Sequence, residues 1–315
     1  MTNKYDKKIS VMMAYVCNPF LPVLQKRLYL KYWKDEIDEL VINVNGRNDL
    51  IRNWIIDLWK GDSKVKYIEG TPKEIRQGQA FDSIYPHISD NMEIIMTMDS
   101  DNFIYNKKVI KFFKNLLIEE YAAIGSKGYH GYPASVSKIA LGRYGTVRLN
   151  PFLSVWWKKN IDKISDLTFC TYNYKKGDVF TPLGKIPEDG WMDVMCKFSL
   201  QYFQIAPRYM PIPPTRDGQY IHVAALSSLY RLLFRSLEDE NTQKFVKSDS
   251  SKQRLYYMAW QNVIYELTKN EVSLEDYKKE WERGYWSEID RMKLKREDIN
   301  RLTGEIMQKF KHVFT

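Results

Sequence analysis

Residues 92 to 102 concentrate the groups in this chain that could do chemistry. Met92-Glu93-Ile94-Ile95-Met96-Thr97-Met98 runs directly into Asp99-Ser100-Asp101-Asn102. A mostly apolar run followed by carboxylates reads as a short strand buried on both faces, with two acids at its end. On an extended backbone, alternation aims Asp99 and Asp101 to one side, about 7 Å apart between Cα atoms. Two carboxylates that near repel each other unless a cation stands between or beside them. Hard oxygen ligands suit Mg²⁺ or Mn²⁺, which fill their shells with water and the phosphates of a nucleotide. The competing reading of Asp-x-Asp is a turn whose Asp and Asn side chains bond the local backbone.

A second acidic constellation is Pro187-Glu188-Asp189-Gly190-Trp191-Met192-Asp193, ahead of an apolar helical stretch with Val194, Met195, Phe198 and Leu200. Acids at a helix start are stabilised by its dipole. Equally, one of them suits a general base that removes a proton from an acceptor hydroxyl. Between the two constellations, residues 128 to 190 are rich in Gly, Tyr, Trp and basic side chains, among them Tyr129, His130, Tyr132, Arg143, Arg148, Trp156, Trp157 and Lys158. Aromatic and cationic groups on loops suit stacking on sugar rings or bases, so Trp156, Trp157 and Trp191 are candidate acceptor contacts. Core packing is the other reading of each. His222 stands alone in Ile221-His222-Val223. It is a capping or core residue unless the fold brings it to the aspartates.

The elements that must position these groups follow from the apolar periodicity. Strands are expected at Ile9 to Val16, Leu40 to Val44, Val65 to Ile68, the run ending at Asp99, Ala122 to Gly125 and Tyr202 to Ala206. Helices are expected with Leu21, Leu24 and Leu28 inward, then with Leu50, Ile51, Trp54, Ile55, Leu58 and Trp59 inward behind an Asn48 or Asp49 cap. Further helices are read over Lys73 to Ile88 and from about Asn106, the latter burying Val109, Ile110, Phe113, Leu116 and Leu117. Strand and helix alternate through the first 125 or so residues, which implies right-handed βαβ units and a mainly parallel, nucleotide-binding sheet. No dinucleotide glycine fingerprint and no Walker lysine loop is present, so phosphate handling falls to a metal and side chains. The four prolines within residues 207 to 214 mark a loop or boundary, and Arg231 to Thr315 reads as charged amphipathic helices.

The totals bound the class. The chain has 315 residues, 44% hydrophobic and 28% charged, with a formal net charge of +9. That suits a globular protein with a full core and an attraction to acidic partners such as nucleotide phosphates, anionic headgroups or nucleic acid. Cys17, Cys170 and Cys196 stand far apart, without metal-ligand spacing. No apolar stretch is long enough to span a membrane, and residues 1 to 8 lack a signal-peptide core, so a cytoplasmic location is expected.

In the order of these motifs the chain resembles glycosyltransferases of the GT-A fold, particularly family 2, over about residues 9 to 230. The resemblance rests on Val16-Cys17-Asn18 after the first strand, Met98-Asp99-Ser100-Asp101-Asn102, Glu188-Asp189 and the His222 to Ser228 stretch. It implies an α/β fold of the GT-A, Rossmann-like type: a mainly parallel mixed sheet flanked by helices, with a helical extension. Residues 1–235 form the catalytic domain, with 1–125 binding the nucleotide sugar and 126–235 the acceptor, and 236–315 form the extension. It further implies a nucleotide-diphosphate sugar donor and a Mn²⁺ or Mg²⁺ cofactor. Donor contacts fall at Ala14, Tyr15, Val16, Asn18, Asn45, Arg76, Asp99, Ser100 and Asp101. Asp101 is the direct metal ligand, Asp99 contacts the ribose or the metal through water, and His222 is the third candidate ligand. Asp189 becomes the base of an inverting transfer, with Glu188 orienting it, although Asp193 is near enough to be the base instead. Many members carry an acid after the second strand that reads the nucleobase; here Val44-Asn45-Gly46 stands in its place. The acceptor is a glycan, a polysaccharide or a lipid-linked hydroxyl. The alternatives are transfer to modified DNA bases, or a non-catalytic module that binds nucleic acid or a membrane surface.

Overall fold

The computed structural model describes residues 6–16, 18–46, 48–69, 77–129, 134–223 and 251–314. The chain divides into two compact units, one of Met1–Cys17 with Tyr32–Ile221 and the other of Asn18–Lys31 with His222–Thr315.

The first unit is built on β1 (Ile9–Val16), β2 (Glu39–Asn45), α2 (Asp49–Trp59), β3 (Val65–Glu69), α3 (Gln77–Ile84), β4 (Ile94–Asp99), β5 (Asn102–Ile104), α4 (Lys108–Glu119) and β6 (Ala123–Gly128). It continues through α5 (Ala134–Tyr144), β7 (Arg148–Trp157), α6 (Lys158–Ile161), β8 (Tyr172–Tyr174), β9 (Val179–Phe180), β10 (Gly184–Lys185), β11 (Gly190–Met192), α7 (Cys196–Ile205), β12 (Tyr209–Pro211) and β13 (Tyr220–His222). Seven strands form one sheet in the order β12-β6-β7-β4-β1-β2-β3, with β7 antiparallel to both neighbours and every other pairing parallel. This is the mainly parallel, helix-flanked mixed sheet that the apolar periodicity implied. The central strands β2 and β4 are buried almost throughout, as continuous apolar runs require, while β3 at one edge exposes Lys66 and Tyr67.

From β1 the chain builds outward through β2 to β3, then returns to place β4 on the other side of β1. That reversal makes the β1/β4 boundary the topological switch point, whose crevice lies beyond the carboxyl ends of the strands. Ala14 of β1 pairs with Asp99 of β4, so the acids end the strand at that crevice.

One apolar cluster joins Met12, Val41, Ile95 and Trp156 of the sheet to Phe81 and Ile84 of α3 and to Phe198, Tyr202 and Phe203 of α7. A second, around Val136, Ala140, Tyr174, Met192, Cys196 and Leu200, ties α5 and the β8/β11 ribbon to the other side of α7. Residues 202 to 206 are therefore not a strand. α7 runs through Ile205 because Phe198 and Tyr202, one turn apart, enter the same cluster, and this packing outweighs the β preference of the aromatics. A strand forms instead at β12, at the sheet edge, where Pro211 is tolerated. Asn48 caps α2 as its sequence suggests, accepting from the Ile51 N–H at 3.1 Å. Leu50, by contrast, is 65% exposed.

In the second unit, α1 (Phe20–Leu28) lies with α8 (Ser251–Thr268), α9 (Glu275–Arg291) and α10 (Arg296–Phe314). Phe20 meets the Tyr265 and Trp281 rings edge-on at 5.1 and 5.7 Å, and Trp281 stacks between Tyr265 and Tyr285. The first helix of the chain thus belongs with its last helices, a grouping that differs from a division at residue 235. Among the described residues no helix is long and apolar enough to cross a membrane.

Candidate metal centre and acceptor-side acids

β4 carries its acids to a fixed level because its polar positions are cross-linked to β7. Thr97 Oγ1 lies 2.6 Å from Ser154 Oγ, which also accepts from Trp156 Nε1 at 2.8 Å. Past the strand end, the buried Asn102 donates from Nδ2 to the Phe152 carbonyl at 2.8 Å. The strand stops at Asp99, and Ser100 and Asp101 form a turn rather than continuing the alternation. Asp101 is 3% exposed. The turn leads into β5, whose partner is β13. His222 is the last residue of β13. One oxygen each of Asp99 and Asp101 and one ring nitrogen of His222 lie within 4.8 Å of one another. Gln77, at the start of α3, donates its amide to Asp99 Oδ1.

The donor set tests the expected cofactor. Two carboxylates and an imidazole at mutual distances under 5 Å can share one divalent ion, and oxygen-rich sets with one nitrogen suit Mn²⁺ as well as Mg²⁺. The residues fit the ion.

The remaining expected donor residues divide. Ala14 is half-buried opposite Asp99, and Ser100 is buried within the turn. The Tyr15 ring is directed into the core, stacked on Trp59 at 6.4 Å, and burial pushes its hydroxyl pKa far up, so only its backbone lines the crevice. The Val16 backbone pairs with Asn45. Asn45 is buried, and its Nδ2 donates to Asn43 Oδ1, while Asn43 donates onward to Ser83 Oγ of α3. Asn18 accepts from the N–H groups of Phe20 and Leu21 at the start of α1. Arg76 lies outside the described residues.

Glu188 and Asp189 precede the short strand β11, not a helix, so a dipole role does not apply to them. Asp189 is exposed. Its Oδ1 accepts from the Lys176 N–H at 2.6 Å, and its Oδ2 lies 3.3 Å from Lys175 Nζ. The Lys176 N–H and then the Lys175 ammonium hold its carboxyl below the ordinary carboxylate range. Glu188 accepts from Ser135 of α5. Asp193 is committed on both oxygens, Oδ2 to Arg148 Nη1 at 2.6 Å and Oδ1 to the Val194 N–H at 2.8 Å. Arg148 opens β7 and pairs with Gly128 at the end of β6, so this ion pair sits toward the carboxyl edge of the sheet. A Cβ on Gly128 would lie 2.7 Å from Arg148 Cγ, so any other residue there displaces the Arg148 side chain. Met195, in the left-handed region at φ 65°, makes the sharp turn from this segment into α7.

Two expected acceptor contacts are corrected. Trp156 is fully buried and meets Phe198 and Tyr202 edge-on at 4.8 and 4.9 Å, so it is core. Trp157 pairs with Ile94 at the opposite end of β4 from Asp99, roughly 16 Å along the strand, and cannot reach a ligand at the acids. Its Nε1 donates to the Leu117 carbonyl. Trp191, 42% exposed, lies two residues beyond Asp189.

The roles of three groups are not legible in the sequence, although Arg148 stands among its candidate cationic contacts. Gln77 orients Asp99; Arg148 holds Asp193; and Asp82 of α3 accepts from the Phe169 N–H at 2.6 Å and from Thr168 Oγ1 at 2.7 Å, pinning that loop to the helix. Nothing local distinguishes a solvent-facing Gln, Arg or Asp from these. The one usable signal was Gly78, which sits where a Cβ would lie 2.5 Å from the Phe169 carbonyl oxygen.

No protein-family model matches the chain, and no curated protein shows significant similarity to it. Solved structures do. The chain is similar to the mannosyltransferase PcManGT of Pyrobaculum calidifontis, determined with GDP-Man and Mn²⁺, at 12% identity and a TM-score of 0.43, covering 95% of this chain and 84% of that one. It is similar to S. aureus TarS 1-349 at 13% identity and a TM-score of 0.47, covering 96% and 91%. Glucosyl-3-phosphoglycerate synthase of Mycobacterium tuberculosis matches at 15% identity and a TM-score of 0.34 over 54% of this chain and 61% of that one.

Proposed function

We propose that the protein is a metal-dependent glycosyltransferase that moves a sugar from a nucleotide-diphosphate donor to a hydroxyl acceptor. The observation that carries this reading is the convergence of Asp99, Asp101 and His222 within 4.8 Å at the topological switch point of the sheet. Asp101, Asp99 and His222 hold Mn²⁺ or Mg²⁺, and the ion supplies Lewis-acid stabilisation of the negative charge that develops on the departing diphosphate. Gln77 fixes the Asp99 carboxylate by donating to Oδ1. The backbone of β1 from Ala14 to Val16 lines the donor side.

In this reading Asp189 is the base. It is ionised at neutral pH, one oxygen is oriented by the Lys176 N–H, and the other is held only by an exposed ion pair to Lys175 of little energetic worth. The acceptor oxygen bonds to the anomeric carbon as the bond from that carbon to the diphosphate oxygen breaks, and the acceptor proton passes to Asp189. Asp193 is unsuited to the role, because Arg148 and the Val194 N–H already take both its oxygens. Trp191 offers an aromatic face to the acceptor from the same ribbon as Asp189. The test is incubation with Mn²⁺ and a panel of nucleotide sugars. Metal-dependent donor hydrolysis, or protection from thermal unfolding by one donor, is expected, and the absence of any response to every donor with and without metal removes the reading.

A further inference from the structure

We propose that the outer face of α4 docks the protein on an anionic phospholipid surface. α4 buries Val109, Ile110, Phe113 and Leu117 and turns Lys107, Lys108, Lys111 and Phe112 outward, with Lys114 half-exposed beside them. No acidic residue occurs from Lys107 to Ile118.

This charge pattern works against the helix itself. Lys107 and Lys108 stand at the amino end, where the helix dipole favours acids, and the first turn holds none. Lys107 with Lys111, Lys108 with Lys111 and Lys111 with Lys114 are like charges at three- and four-residue spacing, which destabilise a helix. Three other exposed helices pair opposite charges at that spacing. α2 pairs Asp49 with Arg52, α9 pairs Glu275 with Lys278 and Asp276 with Lys279, and α10 pairs Arg301 with Asp298 and Glu305. Among the described residues the lysines of α4 form no ion pair. A like-charge stripe kept on one helix against its local stability calls for an opposite charge from outside the chain.

The aromatic component selects the partner. Phe112 is 39% exposed in the middle of the lysines, and the exposed Arg216 places its guanidinium 5.9 Å from the centre of that ring. Lysines surrounding one protruding phenylalanine, on the convex outer face of a helix, fit a flat interface in which the ring enters the headgroup region and the ammonium groups meet phosphates. The acids nearest in sequence are Asp101, before the helix, and Glu119, its last residue, followed by Glu120.

The test is co-sedimentation of the full chain with vesicles of phosphatidylcholine alone and of phosphatidylcholine with phosphatidylglycerol. Binding to the anionic vesicles only, weakening as salt rises, is expected. Lys108→Gln with Lys111→Gln should weaken partitioning about thirty-fold, at about 1 kcal/mol per lysine near the surface, with an unchanged or higher Tm. The control pair Lys60→Gln with Lys279→Gln removes the same charge from paired helices and should leave binding nearly unchanged. No binding to anionic vesicles overturns the proposal, as does equal loss in the two variant pairs. Binding to duplex DNA that the α4 variant weakens, without binding to vesicles, overturns it in favour of a nucleic-acid face.

Discussion

Replacing Asp101 with Asn separates a metal centre from a structural turn, because the two predict opposite signs. In the metal-free protein the Asp99 and Asp101 carboxylates approach within 4.8 Å. Their repulsion at that distance is about 3 kcal/mol at an effective dielectric of about 20 and about 1 kcal/mol at that of water. Asn keeps the size and removes the charge, so Asp101→Asn should raise the stability of the metal-free protein by about 1 to 3 kcal/mol. With Mn²⁺ the gap closes, and it reverses where the metal-free gain is below about 2 kcal/mol. Metal at about a hundred times its Kd stabilises the wild type by about 2.7 kcal/mol, and a hundred-fold loss of affinity reduces that to about 0.4 kcal/mol. At about 2 to 4 °C per kcal/mol, the wild type should gain roughly 5 to 11 °C with Mn²⁺ and the variant about 1 °C. Differential scanning fluorimetry with EDTA and across a Mn²⁺ titration reads both. A variant that is less stable without metal, yet keeps the full Mn²⁺ shift, would show that the acids build a turn and hold no ion.

The remaining predictions concern the base and the scaffold. Asp189→Asn should lower turnover by about 10² to 10⁴ with little change in donor affinity, while Asp193→Asn should act mainly on Tm; the opposite split moves the base to Asp193. Because Lys176 and Lys175 hold the Asp189 carboxyl below its ordinary range, activity should persist as pH falls to about 5, and Lys175→Gln should move the acid limb of the pH profile upward. Gly78→Ala forces a Cβ to 2.5 Å from the Phe169 carbonyl oxygen and should cost about 1 to 3 kcal/mol by urea unfolding, most of it from the α3/loop contact. Burial pushes the Glu39 carboxyl up, but hydrogen bonds from Lys66, Ser89 and Ser10 outweigh it and hold the pKa below normal. Its stabilisation is therefore present above the unfolded value of about 4.3 and lost as pH falls through the lower folded one, and Glu39→Gln should cost about 2 to 3 kcal/mol at pH 7 and flatten that acid loss.

The sequence by itself determined the elements whose apolar pattern leaves one solution. β1, β2 and β4 are continuous apolar runs, and α2 and α4 bury one stripe each, so their type and order follow from periodicity alone. The same pattern placed Asp99 at a strand end. Tertiary structure decided everything that depends on a partner distant in the chain. Residues 202 to 205 became helix because Phe198 and Tyr202 share a cluster, and Trp156 became core because α7 covers it. Trp157 went to the wrong end of the sheet because β7 runs antiparallel. His222 reached the two aspartates only through the pairing of β13 with β5, across more than a hundred residues of chain. Composition and local spacing report which face an element buries; which groups then meet is fixed by strand order and direction, which no local window contains.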